Sequence, residues 1–139
     1  LLVDFVEQAA HGDHTPMEIM EMYSRFFYRL MKEHPYILRI FSWEMIHPTD
    51  VFASIGKERF AMVLVVLRGA LTEGIEEGCF RKDLKPTEVC ISWAGMVAYY
   101  YLMNEIKKRF SVKEEITEDS YMHQAFDVLM NGIKNKEIG

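Results

Sequence analysis

The apolar residues of this chain recur with the period of an α-helix, and this spacing limits the folds that the chain can adopt. Between Pro16 and Glu33 they fill about one half of a helical wheel, and charged and polar residues fill most of the other half. An alternation of apolar and polar residues, which would indicate strands, does not persist between the turn signals of the sequence. The spacing therefore predicts an all-α fold.

Turn-forming and capping residues divide the sequence into six helices. Thr15 and Thr117 are candidate N-caps, and Gly78 is a candidate helix stop. The expected helices span residues 1–10, 16–33, 36–46, 50–77, 86–109 and 118–136. The fourth is apolar nearly all round from residue 60 to 71, which is typical of a central helix. We expect one six-helix, bundle-like domain over residues 1–139, and the first helix reads as the end of a longer one.

Charge and cysteine content exclude several classes of protein. The 16 Lys and Arg against 21 Asp and Glu give a net charge of −5, which argues against nucleic-acid binding by these residues. Two cysteines, Cys79 and Cys90, do not make a disulfide framework, so we expect a cytoplasmic protein. The longest charge-free run, residues 89–104, is shorter than the ~20 residues of a membrane span, so we expect no membrane contact.

The last two helices carry more apolar surface than one chain is expected to bury. Opposite the large residues of the fifth helix lies a face of small and aliphatic side chains, which favours close approach of another helix. The last helix is apolar over more than half of its circumference. We therefore predict a homodimer in which these two helices of each copy form a four-helix bundle. The predicted interface residues are Ile91, Ala94, Gly95, Ala98, Leu102, Met122, Phe126, Met130 and Ile133. In the alternative, both faces are covered within a single chain.

Two segments resemble TetR-family transcriptional regulators. Residues 78–86, GCFRKDLKP, resemble the G-x-F-R-x-D-x-x-P connector that joins the central helix of that family to its first dimerisation helix. Residues 34–40, HPYILRI, resemble a helix start of the same family, and the order and lengths of the helices match across the chain. The resemblance implies the C-terminal ligand-binding and dimerisation domain of a repressor. Operator DNA would then be bound only by an N-terminal helix-turn-helix domain outside this chain, and residues 1–10 would be the tail of the helix that links the two.

The resemblance also implies a site for a small apolar effector. Aromatic and Met side chains on the second, third, central and fifth helices are expected to point inward, and such an interior repacks readily around apolar ligands. The predicted ligand-binding residues are Tyr23, Phe26, Phe27, Trp43, Phe60, Val63, Leu67, Trp93, Met96 and Tyr100. For each of them, ordinary core packing is the alternative. Two charges lie near this set: Glu44 could attract a cation or pair locally, and Arg68 could meet an anion or face solvent.

The sequence gives little support for an enzymatic function. Glu44 and His47 have the Glu-x-x-His spacing of di-iron bundles, but a second copy of that motif is missing. His11 and His14 lie in a turn, where a solvated loop is the simpler interpretation. We therefore expect no catalytic residue, metal or cofactor. The alternative to a ligand sensor is a helical homodimeric interaction module without a small-molecule pocket.

Overall fold

The computed structural model describes residues 2–110, 113 and 116–136, and these form six α-helices with no strand among them. The helices are α1 (Leu2–His11), α2 (Pro16–Glu33), α3 (Tyr36–Ile46), α4 (Asp50–Glu76), α5 (Pro86–Phe110) and α6 (Glu118–Ile133). The predicted all-α class is confirmed, and most of the predicted helix limits lie within one residue of those observed. The last helix differs, because it ends at Ile133 and not at residue 136.

Local sequence signals explain where two of the helices begin. The Thr15 hydroxyl accepts from the backbone N–H of Glu18 (3.2 Å), and the Glu18 carboxylate accepts from the backbone N–H of Thr15 (3.1 Å). This reciprocal pair satisfies two N–H groups that a helix start leaves without partners, and Pro16 suits the first helical position. At the start of α6, the Thr117 hydroxyl accepts from the backbone N–H of Ser120 (3.2 Å).

The core forms where α4 packs against α1, α2 and α5, and α6 packs against α5. Among its most deeply buried side chains are Met20 from α2, Leu71 from α4 and Trp93 from α5. Phe5 brings α1 into this core, stacked on the Phe26 ring at a centroid distance of 5.0 Å. Each of these helices therefore buries an apolar face, as the helical period of the sequence requires.

The expectation that α4 is covered on several sides holds for only part of its circumference. Val63, Leu67 and Leu71 face the core and are buried. Val65, on the opposite face, is 65% exposed, and Met62 is 48% exposed. Although α4 is apolar nearly all round from residue 60 to 71, neighbouring helices cover only the side that faces the core.

The connector between α4 and α5 also fixes the end of α6. Gly78 takes a positive φ of 83°, which L side chains rarely adopt, and thereby ends the helix. The Arg81 backbone N–H donates to the Ile133 carbonyl (2.9 Å), and the Asn135 N–H donates to the Cys79 carbonyl (3.0 Å). Because these bonds hold the chain extended beyond Ile133, α6 ends three residues earlier than the sequence indicates.

Candidate functional site

Most of the predicted ligand-binding residues lie together in or beside the core. Five of them are buried in the core cluster, namely Tyr23, Phe26, Val63, Leu67 and Trp93. Phe27 and Met96 are partly buried against that cluster. Tyr100 is buried beside it, with its ring 4.9 Å from that of Tyr121 and 5.2 Å from that of Tyr101. The structure thus brings eight of the ten residues into one aromatic region between α2, α4 and α5, which we call the aromatic core.

Two polar groups lie inside the aromatic core. The indole Nε1 of Trp93 is buried and has no hydrogen-bond partner among the described residues, although the ring packs edge-on against Phe126. An unpartnered buried N–H costs free energy, which an acceptor on a bound molecule would recover. Burial raises the pKa of the Tyr23 hydroxyl, so this group stays protonated and able to donate.

Trp43 and Phe60 do not point inward as the sequence led us to expect. Trp43 is 62% exposed on α3 and stacks on His47, with ring centroids 4.4 Å apart. Phe60 is 38% exposed and meets the Phe41 ring edge-on at 5.1 Å. The cause is the position of α3, a helix that buries none of its residues, 36–46.

A groove of about 700 Å³ opens between the end of α2, α3 and the second half of α5, and we call it the α3 groove. Its apolar lining consists of Met31, Pro35, Tyr36, Leu38, Trp43, Ile46 and Leu102. Its charged lining consists of Lys32, Arg39, Lys108 and Glu118. Sequence reasoning missed this groove, although the apolar residues around the whole circumference of a short α3 were a signal that one face lacks a helical neighbour.

Two tyrosine hydroxyls make hydrogen bonds at or beside the α3 groove, one with Glu118 of its lining. The Tyr101 hydroxyl donates to Glu118 (2.5 Å), and the Tyr28 hydroxyl donates to Asp119 (2.5 Å). The Lys32 ammonium donates to the Tyr28 hydroxyl (3.4 Å), and this bond raises the pKa of Lys32. Lys32 is therefore charged at neutral pH, and Glu118 already has a donor from within the chain.

Of the two charged residues singled out in the sequence, Glu44 has a local partner and Arg68 is exposed. Glu44 accepts from both the backbone N–H (2.8 Å) and the hydroxyl (2.6 Å) of Thr49, so it ties α3 to the start of α4 and does not present an unengaged charge. Arg68 lies on the exposed side of α4. Within the described residues, His, Cys, Asp and Glu do not gather in any group of three or more that could hold a metal ion.

The predicted dimer interface is exposed on α5 and largely covered on α6. Ile91 is 66% and Leu102 42% exposed, and a Cβ added at Gly95 would meet no atom within 4 Å. Together with Ala94, Ala98, Tyr99 and Ile106, these residues form an apolar outer face that we call the α5 stripe. On α6, by contrast, Met130 and Ile133 are buried in the chain's own core, and Met122 and Phe126 are half-buried against it. Val128, which sequence reasoning did not select, is 55% exposed.

The comparisons with known proteins agree with this helical arrangement. Residues 16–133 match the family described as Tetracyclin repressor-like, C-terminal domain. The chain belongs to this family. The resemblance seen in the sequence is thereby confirmed, and the domain is of a regulatory class that binds ligands and dimerises. A search of curated proteins found no match.

The connector segment of this TetR-like domain now has a physical explanation. Gly78 supplies the left-handed turn, and Phe80 fills a fully buried position against the α4 backbone at Gly74. The Arg81 guanidinium holds Asp83 with two nitrogens and donates to the Gly132 carbonyl (2.9 Å). Gly78, Phe80, Arg81 and Asp83 thus close the turn or tie it to α6. No helix in the described part of this domain combines the length and apolar character needed to cross a membrane.

Proposed function

We propose that the chain is the effector-sensing and dimerising domain of a cytoplasmic TetR-like repressor. In this proposal a second copy covers the α5 stripe, a small apolar effector enters the aromatic core, and operator DNA is contacted by a separate helix-turn-helix domain. Family membership supports the regulatory class. The observation that carries the proposal is the α5 stripe, an apolar face without a charged residue from 89 to 104, which a single chain leaves open at Ile91, Gly95 and Leu102.

The composition of the α5 stripe favours packing against another helix over exposure to water. Small residues at positions 94, 95 and 98 lie between Ile91 and Leu102, so a second backbone can approach closely while these two larger side chains interdigitate with it. Exposed apolar surface of this extent marks a contact surface in a soluble protein. In a twofold dimer the same stripe faces its own copy.

An effector in the aromatic core would act on α1 directly. The Phe5 ring lies 5.0 Å from Phe26 and 5.9 Å from Tyr23, and both of these partners belong to the predicted ligand-binding set. Phe5 is itself only 4% exposed, so movement of either ring displaces α1. A ligand that binds the displaced state more tightly shifts the equilibrium toward it, and this is the physical requirement for release of DNA.

Sedimentation of a matched pair of variants tests the dimer. Ile91→Glu places a charge on the α5 stripe, and Val65→Glu places the same charge on an equally exposed apolar position of α4, 65% against 66%. We expect the wild type and Val65→Glu to sediment as dimers and Ile91→Glu to sediment as a monomer with unchanged helix content. A monomeric wild type at high concentration would overturn the dimer.

Ligand-dependent DNA release tests the sensing function. In the full-length regulator, an effector that releases the operator should lose potency in Phe27→Ala, a partly buried member of the predicted set. Arg25→Ala on the exposed side of the same helix serves as the control. An equal response of both variants would remove the aromatic core as the effector site.

A further inference from the structure

The indole N–H of Trp93 is a buried hydrogen-bond donor inside the aromatic core. Trp93 is 1% exposed, and its Nε1 is the one buried side-chain nitrogen or oxygen of the described ranges that has no hydrogen-bond partner there. The Trp93 ring meets the Phe126 ring edge-on, with centroids 6.0 Å apart, but the face of an aromatic ring is a much weaker acceptor than an oxygen atom. Because an unpaired buried donor is unfavourable, an acceptor on a bound molecule would stabilise the complex.

Two further groups that can donate a hydrogen lie buried in the same core. Cys90 precedes Trp93 by one turn of α5, on the same side of the helix. Burial raises the pKa of the Tyr23 hydroxyl on α2, and the nearby Cys90 thiol adds to this rise. Burial also raises the pKa of Cys90 to about 11, and the proximity of Arg68 offsets this rise only in part. The indole, the hydroxyl and the thiol are therefore all uncharged donors at neutral pH.

The surroundings of these donors favour an uncharged ligand. Among the residues whose burial the structure describes, no charged side chain is buried. Arg68, although it acts on Cys90, lies on the exposed side of α4, where water solvates its charge. A carboxylate or an ammonium group moved from water into this core would lose its hydration without gaining a buried counter-charge. A carbonyl oxygen has less hydration to lose and regains a hydrogen bond from the core.

Methionine side chains allow the aromatic core to admit a ligand by repacking. Met20 and Met130 belong to the same buried cluster as Trp93, and Met96 packs against it. The methionine side chain is unbranched and flexible, so it fits interiors of different shape more readily than a branched or aromatic one. The parts of the core that can move are thus apolar, whereas the donors are carried by a rigid indole and a rigid phenol ring.

We propose that the effector of the aromatic core is an uncharged, largely apolar molecule with a carbonyl oxygen that accepts a hydrogen bond from the indole N–H of Trp93. This inference rests on the proposed function, because it takes the aromatic core as the effector site. It adds the chemical class that this site selects.

Three probes of equal size separate the acceptor from the apolar body. Cyclohexyl methyl ketone, isopropylcyclohexane and cyclohexanecarboxylate carry the same ring, and the group attached to it is a neutral acceptor, an apolar isostere or an anion. The protein for the titrations is Trp43→Phe, a substitution at an exposed position that leaves Trp93 as the single tryptophan of the chain. Its spectrum of ¹⁵N-bound protons then contains one indole signal, which reports on the core directly.

We expect the ketone to move the indole proton of Trp93 downfield in a saturable titration, because a hydrogen bond to oxygen deshields it. The hydrocarbon should shift the signal less and without this direction. The carboxylate should need a higher concentration than the ketone to cause any shift, since the core offers it no buried counter-charge.

A matched pair of substitutions in the Trp43→Phe protein tests the donor, with affinities measured by calorimetry. The ratio of the affinities for the ketone and the hydrocarbon is compared between proteins, so that the hydration of the free probes cancels. Trp93→Phe removes the N–H and keeps an aromatic ring, and it should lower this ratio about fivefold, the value of one hydrogen bond. Phe126→Leu also reduces a ring of this region but keeps the N–H, and it should leave the ratio unchanged.

The contrary outcomes are distinguishable from a failure of the proposed function. An unchanged ratio in Trp93→Phe would refute the indole as the donor, and a tighter complex with the carboxylate would refute the uncharged class, while the aromatic core would remain the effector site. If Trp93→Phe does not fold, the direction of the proton shift decides alone. An indole signal that none of the probes moves would overturn the inference, whereas DNA release in Phe27→Ala and Arg25→Ala still decides the sensing function.

Discussion

Two glycines of α4 allow the packing of the connector to be tested by the same substitution in opposite environments. Gly69 is exposed, and a Cβ built there meets no atom within 4 Å. Gly74 is buried, and a Cβ built there lies 2.2 Å from Cδ2 and 2.5 Å from Cε2 of Phe80. Carbon atoms in favourable contact are about 3.5–4.0 Å apart, so alanine at Gly74 forces Phe80 to move.

The magnitudes follow from helix propensity and packing. Alanine stabilises a helix interior by roughly 0.5–1 kcal/mol relative to glycine, and Gly69→Ala should show this gain. Gly74→Ala gains the same helix-propensity stabilisation, but the added methyl group overfills a packed site, which costs typically about 1–3 kcal/mol. Phe80 cannot withdraw freely, because it is fully buried and its backbone N–H donates to the Gly74 carbonyl (3.0 Å). The two variants should therefore differ by about 1–3 kcal/mol in free energy of unfolding, with Gly69→Ala the more stable.

Urea unfolding followed by circular dichroism measures this difference, with all variants at one protein concentration because the proposed dimer would contribute to stability. Phe80→Leu, combined with Gly74→Ala, should relieve part of the clash, so the double variant should lose less stability than the sum of the two single losses. If Gly74→Ala stabilised the protein as much as Gly69→Ala, Phe80 would not be packed on Gly74, and our account of the connector would be wrong.

Three further substitutions test other local interactions. Thr15→Ala removes a helix cap and should cost about 1 kcal/mol in urea unfolding, whereas Thr15→Ser should cost little. Burial raises the pKa of the Cys90 thiol from 9.0 to about 11, so the folded state holds this proton more tightly than the unfolded chain does. The resulting stabilisation is complete below pH 9 and is lost between pH 9 and about 11; Cys90→Ala should flatten the fall of the unfolding midpoint over that interval, and an unchanged slope would contradict this. Arg81→Ala removes the side-chain bond to the Gly132 carbonyl and should speed amide exchange in the last turn of α6, whereas Lys82→Ala, an exposed neighbour, should not.

The helices and their caps could be predicted from the sequence because the interactions that set them are local. Thr15 finds its partner three residues away, and Gly78 ends α4 through its own backbone conformation. The end of α6 could not be predicted in this way. It depends on Arg81 and Cys79, which are more than fifty residues distant and meet residues 133–135 only after the chain has folded.

The candidate sites could be predicted only in part for the same reason, because they depend on how several helices pack together. A helical wheel indicates which residues of one helix share a face, but it does not identify the neighbour that covers that face. Met130 and Ile133 therefore looked like interface residues and proved to be core, whereas Trp43 looked like core and proved exposed. Ile91 and Leu102 were placed correctly on an open face because the opposite side of α5 carries the larger residues, which fill the core. The α3 groove required the positions of three helices at once, which no single periodicity contains.

Leu102 connects the two surfaces that this domain leaves open. It lies on the α5 stripe, where a second copy is proposed to pack, and it also forms part of the wall of the α3 groove. A ligand in the groove and a second copy on the stripe would thus contact the same side chain. Where two binding events share a contact, each changes the free energy of the other by the same amount, so a ligand at the groove wall and a second copy on the stripe would be coupled reciprocally. Phe5 offers a second connection, from the aromatic core to α1.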